Sequence, residues 1–138
     1  IYYRYIVFSV INFIIALVLV CFYFVLSNDY LLFISGFIFL LGFLTPIITA
    51  HLYKIIPFLV WFHRFSSLVG KQKVPMLADM VPVKSSDFGF AFYLLGFILS
   101  LIAFIFSSDI LFKSAVSFLF VGTSFIVKDV FYIINFKG

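Results

Sequence analysis

Two histidines, His51 and His63, are the side chains in this sequence best suited to holding a metal, because neutral imidazole presents a lone pair that ligates heme iron. Each has a cation nearby in sequence, Lys54 for His51 and Arg64 for His63, of the kind that neutralises a heme propionate. On an unbroken helix their spacing would set the imidazoles about 18 Å apart along the axis and about 120° apart around it, so they cannot share one metal. Each therefore needs a second ligand from another chain or from a span outside this sequence. His51, at the end of an apolar run and beside Tyr53, is the first candidate ligand and His63 the second. The competing reading makes both interfacial residues that reach the headgroup water and anchor a helix end.

Lys128 and Asp129 form the second candidate, since charge within or beside a membrane span is costly and tends to be functional. From Ile110 to Lys128 is about 27 Å of helix, so both are expected level with the cytoplasmic headgroups. Together with Pro46, whose missing amide hydrogen should kink the second span, they make up a transport reading. The other chemistries are poorly served. The lone Cys21 excludes an internal disulfide or a thiolate cluster and reads as a small packing residue. There is no glycine-rich phosphate loop, His-Glu-x-x-His helix, Gly-x-Ser-x-Gly elbow or close pair of intramembrane carboxylates, so a self-contained hydrolase or nucleotide-driven machine is not expected of this chain alone.

These residues are positioned by elements whose nature the composition settles. With 66% hydrophobic residues, 10% charged residues and a mean hydropathy of +1.32, there is too little polar surface to cover a water-soluble globule. A hydrocarbon core of roughly 30 Å needs about 20 apolar residues per helix. Four segments supply them, at 6–26, 31–53, 88–106 and 110–134, which predicts an all-α integral membrane fold of four transmembrane helices arranged as two hairpins. Between the hairpins, residues 55–87 read as an interfacial segment and a basic loop. Pro57 is expected to break or kink the chain, Phe58–Phe65 to lie in the headgroup layer, and Met76–Val81 to touch the surface.

Charge orients the bundle. Arg4, Lys54, Arg64, Lys71, Lys73, Lys84, Lys128 and Lys137 fall on one side, against Lys113 with Asp29 and Asp109 on the other. Positive residues in short loops stay in the cytoplasm, which predicts both termini and the middle loop inside. The net charge of +4 is accounted for by that rule and by anionic headgroups at the basic loop, not by nucleic acid. The first apolar run is too long for a signal peptide, and a chain opening Ile-Tyr-Tyr-Arg reads as part of a longer protein.

An offset of 80 residues aligns Ser27-Asn-Asp29 with Ser107-Ser-Asp109 and Gly42 with Gly122, the pattern of a parallel repeat. It equally suits two tight turns that share the same capping chemistry. Gly96 and Ser100, four apart on one helix face, are the expected contact with a neighbouring helix.

The run His51-Leu-Tyr-Lys-Ile-Ile-Pro-Phe-Leu-Val-Trp-Phe-His-Arg-Phe, with Val69-Gly-Lys-Gln-Lys-Val-Pro-Met-Leu-Ala-Asp-Met80, resembles a segment of little-characterised polytopic inner-membrane proteins of bacteria. Some of these are loosely similar to heme–copper-oxidase subunit I. The resemblance covers about thirty residues and implies a bacterial inner membrane and a heme-associated or respiratory-type component. The several in-membrane histidines of a true oxidase have no counterparts here. The phenylalanine, isoleucine and lysine content also suits a mitochondrial inner-membrane subunit. The alternatives are a transporter or permease fragment using Pro46, Lys128 and Asp129, and a scaffold whose basic loop docks a cytoplasmic partner beside other membrane helices or subunits.

Overall fold

The computed structural model describes residues 1–137, which are helical apart from turns and one connecting loop. Helix α1 spans Tyr2–Leu26, and α2 (Asp29–Phe37) continues through a π-helical stretch, Ile38–Leu44, into α3 (Thr45–Phe65). After 3-10 turns at Ser66–Leu68 and Leu77–Met80 come α4 (Val83–Phe106) and α5 (Asp109–Ile134). Four helical runs are long and apolar enough to cross a membrane, as composition predicts: Tyr2–Leu26, Asp29–Leu68, Val83–Phe106 and Asp109–Ile134. Their apolar surfaces suit contact with a lipid bilayer.

The second run differs most from expectation. At 40 residues it is about twice what one crossing needs. Pro57 lies inside α3 without ending it, and Phe58–Phe65 continues the helix instead of forming a separate interfacial segment. Proline removes one amide donor, a defect that a helix with packed surroundings tolerates, and Pro57 is fully buried. Contacts at the far end hold the extension: Trp61 Nε1 donates to the Pro75 carbonyl at 2.9 Å and Arg64 Nη1 to that of Phe136 at 2.6 Å. Helix α4 likewise starts five residues before the expected 88, at Val83.

The helices form two compact units, residues 2–51 and residue 1 with 52 onward. In the first, the polar side chains of α1 point inward: Ser9 and Asn12 are buried, and Asn12 Nδ2 donates to the Phe8 carbonyl at 2.8 Å. Gly42, in the π stretch, makes room for Asn12; a Cβ there would lie 2.8 Å from the Asn12 Cβ. Ser35 Oγ donates to the Ala16 carbonyl of α1 at 3.0 Å. Just upstream of Pro46 lies the π stretch, whose Leu40 carbonyl accepts from both the amide and the hydroxyl of Thr45, the latter at 2.9 Å. Thr49 Oγ1 donates to the Thr45 carbonyl at 2.9 Å. Cys21 is exposed on α1, so it is not the packing residue expected.

The second unit rests on small residues, as the spacing of Gly96 and Ser100 predicts. A Cβ on Gly96 would lie 2.6 Å from the Leu119 amide nitrogen and 2.9 Å from the Ala115 carbonyl oxygen, and one on Gly122 would lie 2.7 Å from the Tyr93 amide nitrogen. Backbone therefore meets backbone between α4 and α5, the approach that strengthens helix association where lipid provides no hydrophobic drive. Gly89 continues the contact, its added Cβ lying 3.0 Å from that of Phe125.

The two turns offset by 80 residues share one conformation. Ser27 and Ser107 are left-handed, with φ of 49° and 48°. The residues that follow, Asn28 and Ser108, are extended and accept through their side chains from the amides of Tyr30 at 3.0 Å and Leu111 at 3.4 Å. Asp29 and Asp109 then occupy first helical turns, where the helix dipole favours a carboxylate.

Replacing Gly96 by leucine is expected to destabilise the second unit by roughly 1–3 kcal/mol or to prevent folding. Gly36→Ala, with nothing within 4 Å of the new Cβ, should leave stability unchanged or slightly raised. Melting curves in detergent followed by circular dichroism check both, and equal Tm values for the two variants would contradict the backbone contact.

Candidate functional site

Of the five acidic residues, all aspartates, Asp29, Asp79 and Asp109 are exposed and sit in first helical turns, and Asp87 is half-buried near the start of α4. Asp129 is different. It lies on α5 with 0% of its surface exposed. Its Oδ2 accepts a 2.7 Å hydrogen bond from the hydroxyl of Tyr53, itself 5% exposed on α3. Its Oδ1 is also buried and has no hydrogen-bond partner among the described residues. An ionised carboxylate offers about four lone-pair sites, so a single donor leaves most of its capacity unmet. Burial without compensation costs several kcal/mol for a charged group.

The local fold explains the placement. Gly122 and Gly89 bring α5 and α4 together two turns and one turn, respectively, before Asp129, and in the same register Ser86 comes level with it. Ser86 is buried and spends its hydroxyl on the Val83 carbonyl at 2.9 Å; the neighbouring Ser85 Oγ is buried with no hydrogen-bond partner among the described residues. The contact that defines the site is therefore between a carboxylate and a phenol.

Lys128 and Asp129, paired in the transport reading, are separated by the helix, because successive side chains diverge by about 100°. Lys128 is exposed and holds its ammonium 5.0 Å from the centre of the Phe125 ring, a cation–π geometry. Asp129 is enclosed by protein. Pro46 is also fully buried, in the other unit.

The two histidines are exposed on α3. His51 Nδ1 lies 2.7 Å from the Ile47 carbonyl and His63 Nδ1 lies 2.9 Å from that of Leu59. A carbonyl only accepts, so each Nδ1 carries hydrogen, and in the neutral ring the lone pair resides on Nε2. Tyr2 meets the His51 ring edge-on at 6.2 Å. Lys54 is exposed, and Arg64 already donates to Phe136. Among the described residues no three His, Cys or Asp side chains are grouped to hold a metal.

Tyr53 is the residue that sequence reasoning did not assign to Asp129, 76 positions away. The 80-residue offset held one clue. It sets buried Ser35, Gly42, Pro46, Thr49 and Tyr53 against buried Ala115, Gly122, Ile126, Asp129 and Ile133. Asp129 thus matches Thr49, a buried hydroxyl that satisfies itself within its own helix, and is the one charged residue in the series. No family model, curated protein or solved structure matches this chain.

A double-mutant cycle with Tyr53→Phe and Asp129→Asn tests the contact. Tyr53→Phe should destabilise the protein by roughly 1–3 kcal/mol, because it leaves Oδ2 buried without its donor. The same change in Asp129→Asn should cost less, with a coupling of at least about 0.5 kcal/mol. Additive denaturation free energies in detergent would show that the two groups do not interact.

Proposed function

We propose that this chain is a multi-pass membrane component of the transporter type, in which Asp129 and Tyr53 form an exchange site for a small cation. One observation carries the reading: a carboxylate fully withdrawn from solvent has one oxygen on a tyrosine hydroxyl and the other without a hydrogen-bond donor. A buried acid with a purely structural role is expected to have both oxygens hydrogen-bonded. Ionisable groups inside membrane helices characteristically lie on ion and proton pathways. Thr49, the match to Asp129 in the other unit, supports the reading because a neutral hydroxyl fills the corresponding buried position.

In the arrangement we favour, α1 with α2–α3 and α4 with α5 form two hairpins with both termini and the basic middle loop in the cytoplasm. Asp129 then lies about 30 Å along α5 from Asp109, at the cytoplasmic end of its span. The site would serve as the inner mouth of a pathway, in a bacterial inner membrane by the resemblance of the His51–Met80 segment. In proteoliposomes under an imposed ion or pH gradient, Asp129→Asn is expected to lower cation flux at least tenfold. Wild-type flux through a folded Asp129→Asn protein would overturn the reading.

A second reading, heme association, is favoured by the two imidazoles, whose Nδ1–carbonyl contacts keep Nε2 as the ligating atom. His51 would be the first ligand, His63 the second candidate, and Lys54 and Arg64 the propionate contacts, with the remaining axial position filled from another chain. Oxidised and dithionite-reduced absorption spectra of protein expressed with heme should then show a stoichiometric Soret band that His51→Ala abolishes. A spectrum without heme from folded protein would remove this reading.

A further inference from the structure

We propose that the exposed face of α5 near its C-terminal end is a binding site for one anionic phospholipid. An open cleft of about 590 Å³ lies there, lined by Lys128, Phe131, Tyr132, Asn135, Phe136 and Lys137. The first four follow the i, i+3, i+4, i+7 spacing of a single helix face, and all four are exposed. That face is turned away from the buried one of Gly122, Ile126, Asp129 and Ile133. The cleft is therefore separate from the Tyr53–Asp129 contact and does not depend on the exchange-site reading.

Local contacts hold the cleft in shape. Helix α5 ends at Ile134, and Asn135, its C-terminal cap, returns its side-chain amide to the Phe131 carbonyl at 2.9 Å. The departing chain sets the Phe136 ring edge-on to that of Tyr132, with centres 6.2 Å apart. From α3, Arg64 donates to the Phe136 carbonyl at 2.6 Å and Phe65 meets the Phe136 ring at 6.5 Å. At the other end, the Lys128 ammonium is drawn back to 5.0 Å from the centre of the Phe125 ring, one turn toward the middle of the span.

Charge, surface and depth together select the ligand. Two of the lining residues are lysines and none is acidic, so the cleft complements an anion. Three are aromatic, and Phe131 and Tyr132 present open ring surface that a small soluble anion would leave uncovered. Lys128 lies about 29 Å along α5 from Asp109, which sets the cleft across the boundary between hydrocarbon and headgroups. An ammonium drawn back over Phe125 stands on the apolar side of that boundary, where a charge without a counterion is costly. A phospholipid supplies both halves of the match. Its phosphate serves the two ammonium groups and the Tyr132 hydroxyl, and its acyl chains cover Phe131 and the exposed Val121 and Phe120 nearer the middle of the span.

Native mass spectrometry of the full chain in mild detergent would compare dioleoylphosphatidylglycerol with dioleoylphosphatidylcholine, which carries the same acyl chains under a headgroup of no net charge. The expected result is one retained phosphatidylglycerol per chain, favoured at least about fivefold over phosphatidylcholine. Lys128→Gln combined with Lys137→Gln should reduce that preference to about twofold or less, whereas Lys71→Gln with Lys73→Gln, which removes two charges from the loop, should leave it unchanged. Equal retention of the two lipids by the unaltered chain would overturn the proposal. So would a preference that survives in the cleft variant or falls equally in the loop variant, and so would displacement of the lipid by millimolar inorganic phosphate, the mark of a site for a soluble anion. A second readout needs no variant: photoactivatable phosphatidylglycerol in liposomes holding the unaltered chain should give adducts on residues 128–137. Adducts confined to other segments would equally overturn the assignment.

Discussion

The closeness of α4 and α5 underlies the second unit and its site. In water, two apolar helices are driven together by the surface they hide, but in lipid that drive is absent and contact depends on fit. Gly96 and Gly122 meet the opposing backbone at distances that exclude any side chain, and Gly89 carries the approach one turn further toward the start of α4. The position of Asp129 follows from these contacts, since a wider separation would open the carboxylate to lipid or water. The first unit reaches a comparable contact by another route, fitting the Asn12 side chain over Gly42 and hooking Ser35 onto the Ala16 carbonyl.

The carboxylate is not required by the scaffold around it. At the matching place in the first unit, a threonine hydroxyl returns its hydrogen to the preceding turn and makes no demand on other helices. An aspartate cannot do this while ionised and must look outward for a donor. Tyr53 answers part of that need from a third helix, so α3 is tied to α5 by a polar contact rather than by close packing. The Asp129 Oδ1 has no hydrogen-bond partner among the described residues. A polar cluster that is only partly satisfied is expensive to maintain, and such expense is characteristic of places where a ligand comes and goes.

The helical class, the number of apolar runs and the small-residue face were legible in the sequence because each depends on local composition or on a three-to-four residue spacing. Helix ends at Leu26, Phe106 and Ile134 were legible for the same reason. The fate of the second run was not. Prolines at 46 and 57 signal breakage in water, where a broken helix is hydrated at no great cost, whereas buried surroundings favour continuity or a local change of winding. The site was only half visible. Asp129 stood out as a charge near a span, but its separation from Lys128 follows from helix angle, and its partnership with Tyr53 depends on a contact between helices distant in sequence.

The π stretch at Ile38–Leu44 gives the two units different winding over equal length. From Asn28 to Thr49 and from Ser108 to Asp129 the residue count is the same, but the first path includes wider turns, so a given number of residues advances through a smaller angle. Thr49 and Asp129 therefore share an address without sharing a bearing. A chain can in this way keep two copies of one pattern, each with its own inward face, and aim only one of them at a chemical partner.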